Sequence, residues 1–381
     1  AAQLGGNVRR WSKVLPDRPP YGVPQENPVP GLIAAVGGDA RVTVMTGAIV
    51  TQTSGQPGQF KVEISTGGSV TEETVGAIVL ATGWRPYDAN KLGHLGYGAS
   101  PDVVTNVELE EMLAAGSVVR KSDGKSPKTV AFIQCAGSRD PDHLPYCSSV
   151  CCGVSIKHAL QLIEADPDVM AYVIFQELRT PGVAEELYRV AQAAGVIFMK
   201  GDVKSVDADL SVLVDDALLG EEVPLEGLDM VVLATGMVPN STNIDLPTPE
   251  MAEDEEMPPL LRNDIDPTAP ISVAGYLGEE PAAYQAREEA MPEGGSLLNL
   301  NYHQGPHLPM LADGFPDSHF ICFPYESRRT GIYPCGPLRR PMDMGEAGLD
   351  AAGAVLKAIQ TIHLVRDGAS VHPRSGDLSY P

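Results

Sequence analysis

The chain has 381 residues, 43% apolar and 6% aromatic, with 39 Gly and 33 Pro: enough length for two or three domains with buried cores, and too apolar for a disordered chain. Its 27 Lys plus Arg stand against 50 Asp plus Glu, a formal net charge of −23 that repels phosphate backbones, so no nucleic-acid partner is expected. No uninterrupted apolar stretch reaches the ~18–20 residues of a membrane span, and the opening AAQLGGNVRRWSK lacks the basic-then-apolar order of a leader, so a cytoplasmic chain is expected.

In chain order, residues 41–50 (RVTVMTGAIV) and 59–64 (QFKVEI) read as strands, with the turn formers TSGQPGQ between them making a hairpin. VGAIVLATG, 75–83, is a short apolar strand ending in Ala81, Thr82 and Gly83, where a backbone without bulk allows close approach to a ligand. The phrase recurs as MVVLATG at 230–236, which suggests two related α/β units. Between the copies, TVAFIQC (129–135) reads as a strand and GVSIKHALQLIEA (153–165) as a helix with apolar positions at Val154, Ile156, Leu160 and Ile163. AYVIFQEL is the next strand, PGVAEELYRVAQAAG a helix closed by Gly195, and VIFMK a further strand. This alternation implies a parallel, doubly wound sheet. Residues 246–317 are acidic and Pro-rich and read as a surface insert. The closing segment holds a strand, a Gly and Pro turn, and an Ala-rich helix starting near Asp343 to Gly345, whose free N–H groups can meet an anion or a polar ring.

Four of the six cysteines fall between positions 135 and 152, with Cys322 and Cys335 far downstream. Such local clustering points to metal or redox chemistry rather than a disulfide scaffold. In a doubly wound unit the first strand-to-helix turn carries glycines that cradle a pyrophosphate, but here CAGSRDPDHLPYCSSVCCGVSIKHAL stands in that place with no GxGxxG. Four thiolates, Cys135, Cys147, Cys151 and Cys152, suit a 4Fe-4S cluster or a tetrahedral zinc. Zinc sites use two short knuckles, whereas C-x11-C-x3-C-C has one remote ligand and three bunched at a helix start, with Cys151 and Cys152 pointing apart, and a cubic cluster suits that layout better. A thiol-disulfide pair of Cys147 and Cys151, and plain buried cysteines, are the competing readings. His143 and His158 are read as hydrogen-bonding surface residues, not ligands.

On AFIQCAGSRD, LPYCSSVCCGVSIKHAL, LRTPGVAEELYRVAQAAGVIF and PYESRRTGIYPCGPLRRPMDMGEAG, the sequence resembles the A-type subunit of heterodisulfide reductase, and more closely the related flavin subunits of the quinone-interacting membrane-bound oxidoreductase complex. The resemblance implies a thioredoxin-reductase-like FAD/NAD(P)-binding fold with two doubly wound units, FAD, and a 4Fe-4S cluster on Cys135, Cys147, Cys151 and Cys152. It implies a partial FAD-binding domain over 1–118 and 318–381, and a second Rossmann-like domain with the cluster over 119–245. It places Ala81, Thr82, Gly83, Gly336, Asp343, Met344 and Gly345 at the flavin. The family's FAD domain opens with a strand, a GxGxxG turn and a helix, whereas this chain begins at Leu4-Gly5-Gly6, matching the phrase after the second strand. The first unit is therefore expected to be incomplete, as in a fragment of a longer protein. Residues 65–74 are expected as a short link without an inserted ferredoxin domain.

Cys322 and Cys335 are expected as packing residues, and Arg328, Arg329, Arg339 and Arg340 as a basic patch paired with the chain's own carboxylates. The function these readings imply is an electron-transfer component of a heterodisulfide-reductase-like complex. It would join a soluble redox partner to the quinone pool through a membrane partner, at the periphery of the inner membrane. A flavin-linked dithiol oxidoreductase and a zinc-stabilised scaffold are the alternatives.

Overall fold

The computed structural model describes residues 1–241, 298, 300–301, 308–311, 313–318 and 324–369. The insert expected at 246–317 lies mostly outside the described residues, as does Cys322.

After a short helix α1 (Val29–Gly38), the first region is an antiparallel meander of β1 (Ala48–Ser54), β2 (Phe60–Thr66) and β3 (Ser69–Val75). Buried Phe60 and Val62 alternate along β2 and turn its inner face to the core. The tight link from β2 to β3 is Gly67-Gly68, both left-handed at φ 58° and 88°, the backbone that a two-residue hairpin with right-twisted strands demands. The short link expected at 65–74 is thus a third strand. Its sequence, SVTEETV, leaves only Val75 partly buried, so no apolar alternation marked it. The strand expected from 41 begins only at Ala48. The chain then crosses β4 (Ile78–Leu80) to the second unit.

That unit runs β5 (Val103–Thr105), α2 (Asn106–Ala114), β6 (Thr129–Ala136), α3 (Cys151–Ala165), β7 (Met170–Phe175), α4 (Glu185–Ala193), β8 (Ile197–Val206), β9 (Val212–Asp216), β10 (Glu221–Leu225) and β11 (Met230–Thr235). Its seven-stranded sheet has the order β10-β9-β8-β7-β6-β11-β5. The strands from β8 to β5 are parallel, and β9 and β10 extend the sheet antiparallel. The runs TVAFI and MVVLA are near-continuously apolar because both faces are covered. Val130 and Phe132 pack with Leu109, Ile156 and Leu187 of the three helices, while Ala131 and Ile133 belong to the opposite cluster with Leu92, Leu95, Val212 and Val214. Strand-helix alternation therefore yields the parallel α/β sheet expected, with the helices on one face and the 87–97 loop on the other.

Local sequence sets the helix ends. Thr105 caps α2 in a capping box: its hydroxyl accepts from Glu108 N at 3.2 Å, and the Glu108 carboxylate accepts from Thr105 N at 2.7 Å. Gly195, at φ 94°, turns the chain out of α4. Further on, β12 (Ile332–Pro334) pairs parallel with β4, and α5 (Met344–Arg366) packs Ala354 and Ala358 on Tyr333 and Cys335. Among the described residues no helix is long and apolar enough to cross a membrane.

Candidate functional site

At the carboxyl end of β6 the chain makes a sharply bent loop. Cys135, Gly137, Arg139 and Ser149 have φ values of 56°, 74°, 57° and 61°, all left-handed. For a residue with a Cβ this costs of order 1–3 kcal/mol, so the loop holds only because its surroundings over-determine it. Arg139 N donates to Tyr146 O at 3.0 Å and Leu144 N to Gly137 O at 3.2 Å. Tyr146 Oη donates to Met237 O at 2.8 Å, and Ser148 Oγ accepts from Met237 N at 2.9 Å while lying 3.2 Å from Ser138 Oγ. Both serines sit against Gly236, where a Cβ would collide with their hydroxyl oxygens. The second ATG phrase thus ends in glycine to let this loop approach, whereas Gly83 of the first uses its left-handed φ of 72° with open space around it.

The loop delivers four thiols to one neighbourhood. Helix α3 begins at Cys151 with no side-chain cap from Val150, so its first-turn N–H groups have no capping side chain among the described residues. One step apart on a helix, the two cysteines diverge: Cys151 Sγ lies 3.8 Å from Thr235 O and Cys152 Sγ 4.0 Å from Glu177 O. Cys147 Sγ accepts from Ser149 N at 3.3 Å. Cys147 and Cys135 are partly exposed, Cys151 and Cys152 buried. Burial pushes the Cys151 thiol well above its usual range, and the negative charge of Cys152, Cys135 and Cys147 would push it the same way. Burial likewise raises Cys135 and takes Cys152 to about 11. As they stand, no three His, Cys, Asp or Glu among the described residues are gathered at metal-ligand spacing.

Beside this loop lies a cavity of about 510 Å³. It opens where doubly wound sheets hold their ligands, beyond the carboxyl ends of β5 and β11, at Asn106 and Thr235. Val150 and Val154 form the wall shared with the cysteine loop, and Gly5, Gly6 and Trp11 of the N-terminal segment also line the cavity. Ala81, Thr82, Gly83, Asp343 and Met344 all line it. Gly336 and Gly345 do not: Gly336 N donates to Asp350 Oδ2 at 2.8 Å, and Gly345 packs on Asp17, leaving Pro337 and Ala347 at the wall. Thr82 Oγ1 donates to Asn240 O at 2.9 Å and Asn240 Nδ2 to Thr82 O at 3.0 Å, clasping the first ATG turn to the chain beyond β11. Asp343 caps α5 by accepting from Glu346 N at 2.8 Å. The rings of Trp11 and Trp84 lie 6.3 Å apart.

One part of the cavity wall, at Glu110 and Lys157, is ionic. Glu110 on α2 accepts from Lys157 Nζ at 2.8 and 2.9 Å and from His158 Nε2, and all three side chains are almost fully buried. Lys157 Nζ also donates to Lys13 O at 2.8 Å and sits over the Trp11 ring. Burial pushes the Glu110 carboxyl up, but His158 and Lys157 together outweigh it and hold the group below the usual range. Burial lowers both Lys157 and His158 against the pull of Glu110. His158 Nδ1 has no partner among the described residues, which suits a neutral ring that donates through Nε2.

No protein-family model matches the chain. One iron-sulfur A-type subunit of CoB–CoM heterodisulfide reductase from Methanopyrus kandleri is 40% identical over 186 residues, 45% of this chain and 28% of that protein. The A-type subunit of the H(2):CoB–CoM heterodisulfide, ferredoxin reductase of Methanothermobacter marburgensis is 31% identical over 315 residues, 79% of this chain and 39% of its own length. The chain is a homologue of the heterodisulfide reductase A-type subunit. It spans well under half the length of these curated relatives. Among solved structures, thioredoxin reductase of T. acidophilum aligns over 95% of this chain and 87% of that one, at 13% identity and a TM-score of 0.49.

In this heterodisulfide reductase homologue the four expected cysteines lie on one loop and helix start, and five of the seven residues expected at the flavin line the cavity. Glu110, Lys157, Trp11 and Trp84 had no part in the sequence expectation. His158, expected at the surface, is wholly buried against Glu110 and Phe132 because α3 is covered on nearly all sides. His143 lies half-buried and meets Tyr87 Oη at 2.7 Å. Of the basic patch, Arg328 pairs with Asp317, Arg339 with Asp350 and Arg340 with Glu346. Cys335 is a packing residue of the α5 core.

Proposed function

We propose that this chain carries one 4Fe-4S cluster on Cys135, Cys147, Cys151 and Cys152 and FAD in the adjoining cavity, and serves as an electron-transfer component of a heterodisulfide-reductase-like oxidoreductase. The observation that carries this is the shared wall. Thr235 and Val150 line the cavity, while Thr235 O is also the neighbour of Cys151 Sγ, so two redox groups would stand side by side.

The residues suit both groups. Four thiols and uncapped N–H groups at the start of α3 match the anionic, sulfur-ligated character of a cluster, and the strained loop is the sort of backbone that functional sites retain. The cavity has the volume and mostly apolar lining typical of cofactor sites, with Thr82, Asn106, Glu110, Lys157, Thr235 and the start of α5 among its polar groups. When bound, FAD would exchange electrons in pairs or singly and the cluster one at a time, so that a pair taken up by the flavin could be passed on in two single steps. The chain's part is to orient the ring against Trp11 and Trp84, to hold charge at Lys157, to exclude water, and to draw the four sulfurs together.

Burial of Cys151 and Cys152 disfavours the dithiol alternative, which needs the sulfurs of the exchanging pair open to attack. A structural zinc would use the same four thiols, but the C-x11-C-x3-C-C spacing favours the cluster. We extend the reading to a complex in which a soluble donor or acceptor protein docks on this chain while a separate membrane protein reaches the quinone pool, placing the chain at the cytoplasmic side of the membrane. Resemblance to the quinone-interacting complexes supports that extension.

Anaerobic reconstitution tests the central reading. Iron and acid-labile sulfide in cluster proportion, broad visible absorbance and a paramagnetic signal on reduction are expected, and Cys151→Ser should remove them. Zinc in place of iron, or no metal, would sink it.

A further inference from the structure

The bent loop that presents Cys135 also fixes an arginine in an unusual setting. Arg139 is left-handed at φ 57°, and its backbone N–H is spent on Tyr146 O at 3.0 Å. Its side chain, 24% exposed, reaches Glu177 with Nη2 at 3.2 Å from Oε2, but Nη1 is buried and has no partner among the described residues. Glu177 belongs to the same surroundings: its carbonyl oxygen is the neighbour of Cys152 Sγ, and its carboxylate also meets Arg179 Nη2 at 3.7 Å. Native proteins seldom leave a buried guanidinium nitrogen without an acceptor. Here the electron-rich groups nearby are the cysteine sulfurs: Arg139 follows Cys135 on the same loop, its N–H holds Tyr146 next to Cys147, and its ion-pair partner Glu177 lies against Cys152 Sγ.

We propose that Arg139 is a positioning residue that sets the reduction potential of the cluster, with the Glu177 carboxylate as its counterweight. The inference rests on the cluster reading above. Reduction adds one electron to the metal site from an external reductant, with no bond made or broken in the protein and no proton required. The site therefore becomes more negative by one charge. A fixed guanidinium beside the sulfurs stabilises that reduced form more than the oxidised one, which raises the potential. The acidic Glu177, paired with Arg139 and Arg179, acts in the opposite direction. In a chain of net charge −23, two arginines beside the thiols are a local reversal of the overall field.

The test is a titration with dithionite and redox mediators, monitored by electron paramagnetic resonance, of the reconstituted full chain and of Arg139→Gln, Arg139→Lys and Glu177→Gln. At the wild-type midpoint, Arg139→Gln should lower the reduced-to-oxidised ratio about tenfold, which for one electron is a downward shift of about 59 mV. Arg139→Lys keeps the charge without the planar fork and should fall between the two. Glu177→Gln should shift the midpoint upward. An unchanged midpoint in Arg139→Gln with full iron content overturns the proposal. If Arg139→Gln fails to take up iron, Glu177→Gln decides: an upward shift supports the proposal, and an unchanged or lowered midpoint overturns it. A wild-type chain that takes up no iron would instead defeat the cluster reading itself.

Discussion

Glu110 divides one buried carboxylate between an ammonium and an imidazole, and each bond has a separate consequence for stability. Removing the carboxylate strands Lys157, whose Nζ would retain the Lys13 carbonyl and the Trp11 ring but no counter-charge. Glu110→Ala is therefore expected to cost about 3–5 kcal/mol in urea unfolding, whereas Glu110→Leu with Lys157→Met should cost clearly less than Glu110→Ala alone. The pH dependence has a fixed sign. His158 and Glu110 both have pKa values depressed by folding, so each contributes stability above its unfolded value that is lost as pH falls through the folded one. For His158 the loss begins below about pH 6.5, and for Glu110 below about pH 4.3. Stability measured from neutral to acid pH should thus decline in two stages. His158→Gln should flatten the first and leave the second.

At the scale of elements, the two ATG turns make opposite use of the same phrase. Gly236→Ala would drive a methyl into Ser138 and Ser148, displacing the loop that carries Cys135 and Cys147. A loss of about 1–3 kcal/mol from overpacking is expected, together with reduced iron incorporation on reconstitution. Gly83→Ala meets open space, so only left-handed strain of roughly 1–2 kcal/mol applies, and iron uptake should remain as in the parent. The contrast explains what was legible in the sequence. The cysteine loop could be read because its chemistry is concentrated between 135 and 152, and the parallel strands because apolar runs covered on both faces stand out. The Glu110 network could not be, because it joins α2 to α3 across 47 residues, and Lys157-His158 looks like an ordinary polar step on a helix unless one knows that α3 is covered there. The one sequence signal available was that these two side chains lie between the apolar Ile156 and Ala159 of the helix, positions the structure shows to be wholly buried. Strand β3 escaped for the converse reason: it pairs through its backbone while its side chains face outward.

For the molecule as a whole, the cavity is where segments remote in sequence meet, and both tryptophans of the chain stand in its wall, Trp11 from the N-terminal segment and Trp84 just beyond β4. A flavin seated there would lie within contact distance of each ring, close enough to take up the excitation of both. Titrating the protein with FAD should therefore quench tryptophan emission to a small remainder, at a stoichiometry of one per chain. Trp11→Phe and Trp84→Phe should each leave a single emitter that is still quenched. Cys151→Ser should lose iron yet retain the quenching, because its sulfur faces Thr235 O from the far side of the shared wall. Emission unaltered by saturating FAD would exclude the cavity as the flavin site. Quenching confined to Trp84 would instead place the ring at the ATG turn, away from Lys157 and the buried carboxylate.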